Sequence, residues 1–531
     1  MTKSNEHQVC RPENGGQSGG VRWRLLVVAL LLLAAFLVWR RATVSATDDG
    51  WAALGELPEE VWGGAAVANP RFILEFGRSL AELWSDQIEF GLRDDLLEMI
   101  GMDVLSVEDW RRAGFDPDAP IWFAAPVLDA SGDSLAMVVS VGVVEPELAL
   151  ASMRSLVEGE EFDWLTIREA GHEIYTDEEE VAFLFHGQRM YLSGGDDRET
   201  ALKALRKFVD ETAARLAGNA DFRMVRGGLP RSNFAAYLPL SRLVRVLRHE
   251  DFHLSAEELV WLDWFDSNFR AAGLVADRGY GRLLLAFAEG SELRDRLWPA
   301  DSPQVFTGRF GEPLLAVNVS LDRPVPLLFD LVEQLGGAEA LAEFEDELKE
   351  ELRTDRDQLG TVFEQLTGGL LFYGFKGFFE PEFVVFLKIP EGGQATVDEW
   401  IRRIGSDLEP RRYGNNLLYR EGCGDSLVGF VDGYLVFGNA TRHMANVAEG
   451  RYANWQPRGG DALLSLELRV ARILAETGEM LPPQTVDAIT LLFGRERDRQ
   501  YIHAELTRTD QGLVLNAETP VLRVLFGEKL R

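Results

Sequence analysis

Two stretches of this chain say nearly the same thing: VAFLFHGQRMYLSGG (Val181–Gly195) and SLVGFVDGYLVFGNA (Ser426–Ala440). Each is a short apolar run, a tight turn (His186-Gly187 or Asp432-Gly433), and a second apolar run closing on glycine, which is the pattern of a β-hairpin. Each runs into a helix-forming segment, Arg198–Val209 or Thr441–Ala448. Upstream of each lie a strand (Ala136–Val143; Phe383–Ile389) and a helix (Glu147–Val157; Val397–Ile404). A repeat of this kind limits the fold strongly, because each copy must bury its apolar face against a neighbouring copy.

A looser unit recurs four times: a short apolar strand, one or two helices, then a long hairpin. The copies begin at Ala65-Ala66-Val67, Ala235-Ala236-Tyr237-Leu238, Leu314-Leu315-Ala316-Val317 and Leu463-Leu464-Ser465-Leu466. Their hairpins include IWFAAPVLD with DSLAMVVSVGVV, AGLVADRGYGRLLLAFAEG, LLFYGFKG with EFVVFLKI, and ITLLFGRERDRQYIHAELTR. The order is unit, insert, unit, and then the same again. The spacing therefore predicts two equivalent halves, 62–299 and 311–520, with a joint at Trp298–Ser302 beside Pro299 and Pro303. Hairpins joined by helices predict an α+β class with predominantly antiparallel sheets and packed helices. Two domains and one pseudo-symmetric body are both compatible with the pattern. A long helix is expected over Ala340–Leu366, with Leu341, Phe344, Leu348 and Leu352 on its core side and a solvated acidic face opposite.

Ahead of the repeats stands LLVVALLLLAAFLVW, Leu25–Trp39, flanked by Arg22, Arg24, Arg40 and Arg41. These apolar residues alone rise roughly 22 Å as a helix, short of the roughly 30 Å hydrocarbon core. Extension to Val21 and snorkelling arginines make up the difference. Residues 1–20 are expected to be a cytoplasmic tail, 21–41 a single-pass transmembrane anchor and 42–61 a linker. Lys3, Arg11, Arg22 and Arg24 place the tail inside, and the bulk of the chain outside a cell inner membrane, in the periplasm. The alternative is a signal peptide cleaved near Val44-Ser45-Ala46. The formal charge of −32 repels phosphate backbones and anionic lipid headgroups, which disfavours nucleic acid as a partner. Only Cys10 and Cys423 are present, on opposite sides of the apolar segment, so no disulfide framework is expected.

Few motifs carry chemistry. His249-Glu250-Asp251-Phe252-His253 matches the HExxH string of zinc hydrolases, which needs both histidines on one helix. In the third copy the equivalent place is Leu335-Gly336-Gly337-Ala338, an interhelix turn, and Ser255 with Glu258 reads as a capping box starting a new helix. His249 and His253 are therefore expected to be surface residues beside a cap, with a metal site as the alternative. Asp129–Asp133 alternates oxygen ligands but lacks the glycine position and distal Glu of a calcium loop, so a hairpin turn is expected. Asp196-Asp197 suits a helix N-terminus, and His172, His186, His443 and His503 are scattered. No cofactor is implied. The stretch VWLDWFDSNF is expected within a helix over Ala256–Ala271. Its Trp261, Trp264, Phe265 and Phe269 occupy more than one face, and so either pack on two sides or line an apolar cleft.

VEDWRRAGFDPDAPIWFAAP, Val107–Pro126, resembles a segment of exported bacterial proteins grouped only as a domain of unknown function, through Gly114, Phe115, Asp116 and Pro117. That resemblance implies an exported α+β protein with repeated strand-helix-hairpin units and brings no catalytic residues. Three functions are weighed. The first is a membrane-tethered binding or scaffold protein without catalysis, with a protein or apolar ligand as partner. The second is a carrier of an apolar or lipid ligand. The third is a zinc hydrolase with Glu250 as base.

Overall fold

The computed structural model describes residues 49–71, 74, 103, 106–129, 134–155, 164–169, 171–177, 180–248, 254–277, 280–300, 313–376, 380–404, 408–421, 426–431, 433–449, 462–470 and 501–518. Leu25–Trp39, His249–His253, Cys10, Cys423 and most of the Asp129–Asp133 turn lie outside them. Among the described residues no helix is long and apolar enough to cross a membrane.

In the first half the chain forms α1 (Gly50–Gly55), β1 (Val61–Val67), α2 (Val107–Arg112), β2 (Ile121–Pro126), β3 (Ala136–Gly142) and α3 (Pro146–Ser155). A meander follows: β4 (Leu165–Glu169), β5 (His172–Thr176), β6 (Val181–His186) and β7 (Arg189–Gly195). Then come α4 (Arg198–Val209), α5 (Ala220–Gly228), β8 (Phe234–Leu238), α6 (Leu240–Leu247), α7 (Ala256–Asn268), β9 (Phe269–Asp277), β10 (Tyr280–Phe287) and α8 (Glu292–Arg296). The second half runs β11 (Leu315–Asp322), α9 (Pro324–Glu347), α10 (Arg356–Val362), β12 (Gln365–Lys376), β13 (Glu380–Lys388) and α11 (Glu391–Ile404). Its meander is β14 (Leu408–Tyr413), β15 (Asn416–Glu421), β16 (Leu427–Val431) and β17 (Tyr434–Gly438). It closes with α12 (Thr441–Ala448), β18 (Ala462–Arg469), β19 (Tyr501–Arg508) and β20 (Gly512–Glu518).

Among the described residues every strand pairing is antiparallel, and together they make one sheet of 20 strands. In the first half the order is β4-β5-β6-β7-β3-β2-β1-β8-β9-β10. In the second it is β14-β15-β16-β17-β13-β12-β11-β18-β19-β20, the same sequence of connections. The halves meet where β10 pairs with its counterpart β20, from Tyr280 opposite Glu518 to Ala286 opposite Gly512. That is a pseudo-two-fold junction made of backbone hydrogen bonds rather than a hinge.

Helices cover both faces of this sheet. On one face α1, α4 and α5 enclose a core that includes Trp51, Leu54, Trp122, Leu205, Phe222, Tyr237 and Val275. On the other, α6 and α7 bury Leu240, Phe269 and Phe287 together with Leu463 and Leu513 of the second half. Next to that cluster, α9, α10 and α11 bury Phe329, Val362 and Trp400. Side chains reinforce the junction. The Arg508 guanidinium lies 3.4 Å from the centre of the Trp298 ring and donates to the carbonyl of Arg294 at 3.0 Å. Arg296 pairs with Asp330 across the same seam.

Three local expectations need correction. The linker expected over 42–61 does not extend past Asp49, because Trp51, Leu54 and Leu57 are fully buried in the first-half core; residues 42–48 lie outside the described residues. The long helix does not reach Leu366. A π-turn over Leu348–Leu352 ends at Arg353 in left-handed geometry, and Asp355 caps the separate α10, whereas the kink of α9 at Gly337 (φ 78°) falls in the turn expected over Leu335–Ala338. The helix expected through Ala271 stops at Asn268, so Phe269 opens strand β9. Asn268 accounts for the stop: its amide donates to the Trp264 carbonyl (2.8 Å) and its carbonyl oxygen accepts from Ser291 Oγ (2.9 Å), tying the helix end to the α8 turn. The turn at Gly114-Phe115 is also explained. Gly114 has φ 88°, and a Cβ there would sit 2.6 Å from the backbone of both Ala149 and Glu145 while Phe115 is buried.

Candidate functional site

The aromatic residues of α7 divide by face. Phe269 is buried, and Trp264 and Phe265 pack against the same cluster on β9 and β10, with Phe265 and Phe269 ring centres 5.1 Å apart. Trp261 stands edge-on to Trp264 at 6.0 Å but is 52% exposed. Leu259 on α7 and Leu328 on α9 are exposed as well, and these two helices, one from each half, pack together. The structure therefore packs Trp264, Phe265 and Phe269 against the core and leaves Trp261 exposed on the surface of the helix that meets α9 at the junction. Such a surface offers an aromatic anchor for a partner.

The string around His249 and His253 is bracketed by described elements. α6 ends at Leu247, and α7 starts at Ala256 with the capping box in place: Ser255 N–H donates to Glu258 Oε2 (2.7 Å) and Glu258 N–H donates to Ser255 Oγ (3.2 Å). That contact also holds the Glu258 carboxyl below its ordinary pKa. Among the described residues no group of His, Cys, Asp and Glu is arranged to hold a metal ion.

A second constellation escaped the sequence reading. On the α1/α5 face of the second half, directly opposed residues form a polar row, Asn318 on β11, Ser465 on β18, Glu505 on β19 and Asn516 on β20. Its neighbour on the same face sets Glu467 opposite His503. Asn318 Nδ2 donates to Ser465 Oγ at 3.1 Å, His503 Nε2 lies 2.9 Å from Glu505 Oε1, and Arg469 Nε donates to Glu467 Oε1 at 3.1 Å. Asn318, Ser465 and His503 are buried. Buried polar groups ordinarily find partners, yet Thr367 Oγ1, on the flanking strand β12, and Asn516 Oδ1, in the row itself, are buried with no hydrogen-bond partner among the described residues. The row thus presents mixed donors and acceptors in a region shielded from water. Its signal lay in the alternation of His503, Glu505 and Thr507 along β19, where the matching strand β9 carries Ala271, Gly273 and Val275.

Two further features have smaller scope. A cleft of about 200 Å³ lies among Glu345, Leu348, Lys349, Asp355, Arg356 and Asp357, below the roughly 300 Å³ at which ligand pockets usually begin. Tyr373 is buried and stacked on His443 with ring centres 3.7 Å apart, and burial raises its phenol pKa.

No family model matches the chain, and no curated protein matches it. Among solved structures it is similar to TP0453 in several crystal forms. Form IV shares 13% identity over 45% of this chain and 81% of that one, at a TM-score of 0.25. Form I shares 8% identity over 77% of this chain and 100% of that one, at a TM-score of 0.22. Likeness at that level carries no argument about fold or function here.

Proposed function

We propose that this chain is a membrane-anchored extracytoplasmic protein that binds or organises partners and carries out no reaction. On this reading residues 21–41 are the stem, a duplicated α+β body stands on the outer side of an inner membrane, and a protein partner docks on the helix layer where the halves meet. The observation that carries it is Trp261, 52% exposed on the helix that packs against α9 of the other half. The shared strand order of the halves supports a duplicated origin. A carrier of apolar ligand would need Trp264, Phe265 and Phe269 to line a cleft; they pack on β9 and β10 instead, so docking at the surface is the preferred reading.

Two measurements test it. A reporter active only outside the cytoplasm, fused after Arg531, is expected to be active and to stay with membranes through alkaline extraction. Activity only in a cytoplasmic reporter would overturn the topology. A photo-crosslinker replacing Trp261 is expected to trap one discrete protein adduct in cells, absent when the crosslinker replaces the buried Phe222. Equal diffuse labelling from both positions would overturn the docking surface.

A further inference from the structure

We propose that the face bearing α1 and α5 lies against the bilayer, with Arg223, Arg226 and Arg231 meeting anionic lipid headgroups. The inference rests on the anchored reading above and adds an orientation to it. The chain joins the folded body rigidly. Gly50 N–H donates to the Ser232 carbonyl at 2.8 Å, Asp49 Oδ1 accepts from Trp51 N–H at 3.1 Å, and Trp51 is fully buried. Between Arg41 and Asp49 stand only residues 42–48. Fully extended, they span about 25 Å at most. The surface around Asp49 is therefore held within a few Debye lengths of the headgroups, each about 10 Å at moderate salt.

Immediately around Asp49 guanidiniums outnumber carboxylates. Asp49 sits between Arg226 Nη2 at 3.3 Å and Arg231 Nε at 3.9 Å, so one carboxylate is shared by two guanidiniums. Arg223, one helical turn before Arg226 on α5, is exposed and adds a third positive charge. Arg231 is 76% exposed. Guanidinium forks match phosphate oxygens and stay charged at every physiological pH. A chain of net charge −32 is repelled by an anionic membrane over most of its surface. Repulsion elsewhere and attraction beside the tether then act together to turn this face down. The Trp261 surface lies on the opposite side of the sheet, and so faces away from the membrane, open to a partner.

The test uses the full chain with Cys10→Ser and Cys423→Ser, labelled with a fluorophore at one new cysteine, either Gly227→Cys on α5 or Ser267→Cys on α7. It is reconstituted into vesicles of phosphatidylcholine alone or mixed with phosphatidylglycerol, with an acceptor on the lipid headgroups. In the mixed vesicles the α5 label is expected to transfer energy more efficiently than the α7 label. The difference should shrink in phosphatidylcholine alone and at high salt. It should also shrink in R223Q and R231Q, by about fivefold in the docked population for each arginine neutralised. Unchanged melting temperatures would show that these variants fold. Equal transfer from the two labels, in chains that float with the vesicles, overturns the orientation and leaves the anchor standing. Failure to float overturns both. Loss of the difference in dilute inorganic phosphate, but not in chloride of equal ionic strength, would assign the arginines to free phosphate and overturn the lipid assignment.

Discussion

The same face of the sheet is built differently in its two halves. One row of opposed residues passes Trp122, Ala66, Ala235 and Val275 on β2, β1, β8 and β9, and crosses the junction at Arg282 and Asn516. It continues through Glu505, Ser465, Asn318 and Gly369 on β19, β18, β11 and β12. Strand order is identical, yet the first stretch is apolar and the second polar. In the first half the small residues have a use. A Cβ on Gly64 would meet Leu57 Cδ1 at 2.7 Å, and one on Gly273 would collide with Val225 of α5. Missing side chains there let α1 and α5 settle onto the strands. Backbone pairing therefore sets topology, while side-chain size and polarity on one face set what can cover it. The two can differ between halves of the same strand order.

Substitutions break this contrast in graded ways. Trp51→Ala should cost about 3–5 kcal/mol in denaturant unfolding, since it empties the space that α1 fills beneath Gly273. A loss under about 1 kcal/mol would mean the small-residue strands do not depend on α1. Asn318→Ala should cost about 1–3 kcal/mol, because Ser465 loses its buried donor. Thr367→Val should act in the opposite direction and stabilise by about 1 kcal/mol, removing a buried hydroxyl that has no partner. Destabilisation there would point to a partner for that hydroxyl in the folded protein.

Asp197→Ala tests a feature of the first half alone. Asp197 Oδ1 accepts from Thr200 N–H at 2.7 Å at the start of α4, and this contact lowers its pKa below the usual carboxylate range. The expected loss is about 1 kcal/mol at neutral pH. A lowered folded pKa means the contribution is complete above the unfolded value and lost as pH falls through the folded one. The penalty should therefore fade below about pH 4. Trp261→Ser should shift stability by less than about 0.5 kcal/mol while abolishing co-purification of the docked partner, the smallest effect on folding and the one most specific to docking.

Much of the organisation was legible in the chain. Helices α4 and α12 have the bounds their sequence pattern predicts, and the Ser255–Glu258 capping box forms as the spacing requires. These are local devices, decided by residues within a turn of one another. Except for the long helix, which Arg353 and the Asp355 cap end locally, the misreadings have a common cause. Gly50-Trp51 looks like linker because its partners, Ser232 and Gly273, lie far along the chain. Phe269 looks helical because Asn268, whose side chain reaches Ser291, ends the helix through a distant contact. The polar row was invisible because Asn318, Ser465, Glu505 and Asn516 come from four separate strands.

By itself the sequence determined the alternation of hairpins and helices, the recurrence of that order, the apolar segment ahead of it and the strong negative charge. Each follows from periodicity or composition over short distances. Only the tertiary structure decided that the halves share one sheet through β10 and β20, that Trp261 faces solvent while its neighbours are core, and that one half carries polar groups where the other carries alanine and glycine. Those outcomes depend on which edges meet and which faces are covered, and such contacts form only when residues hundreds of positions apart are brought into register.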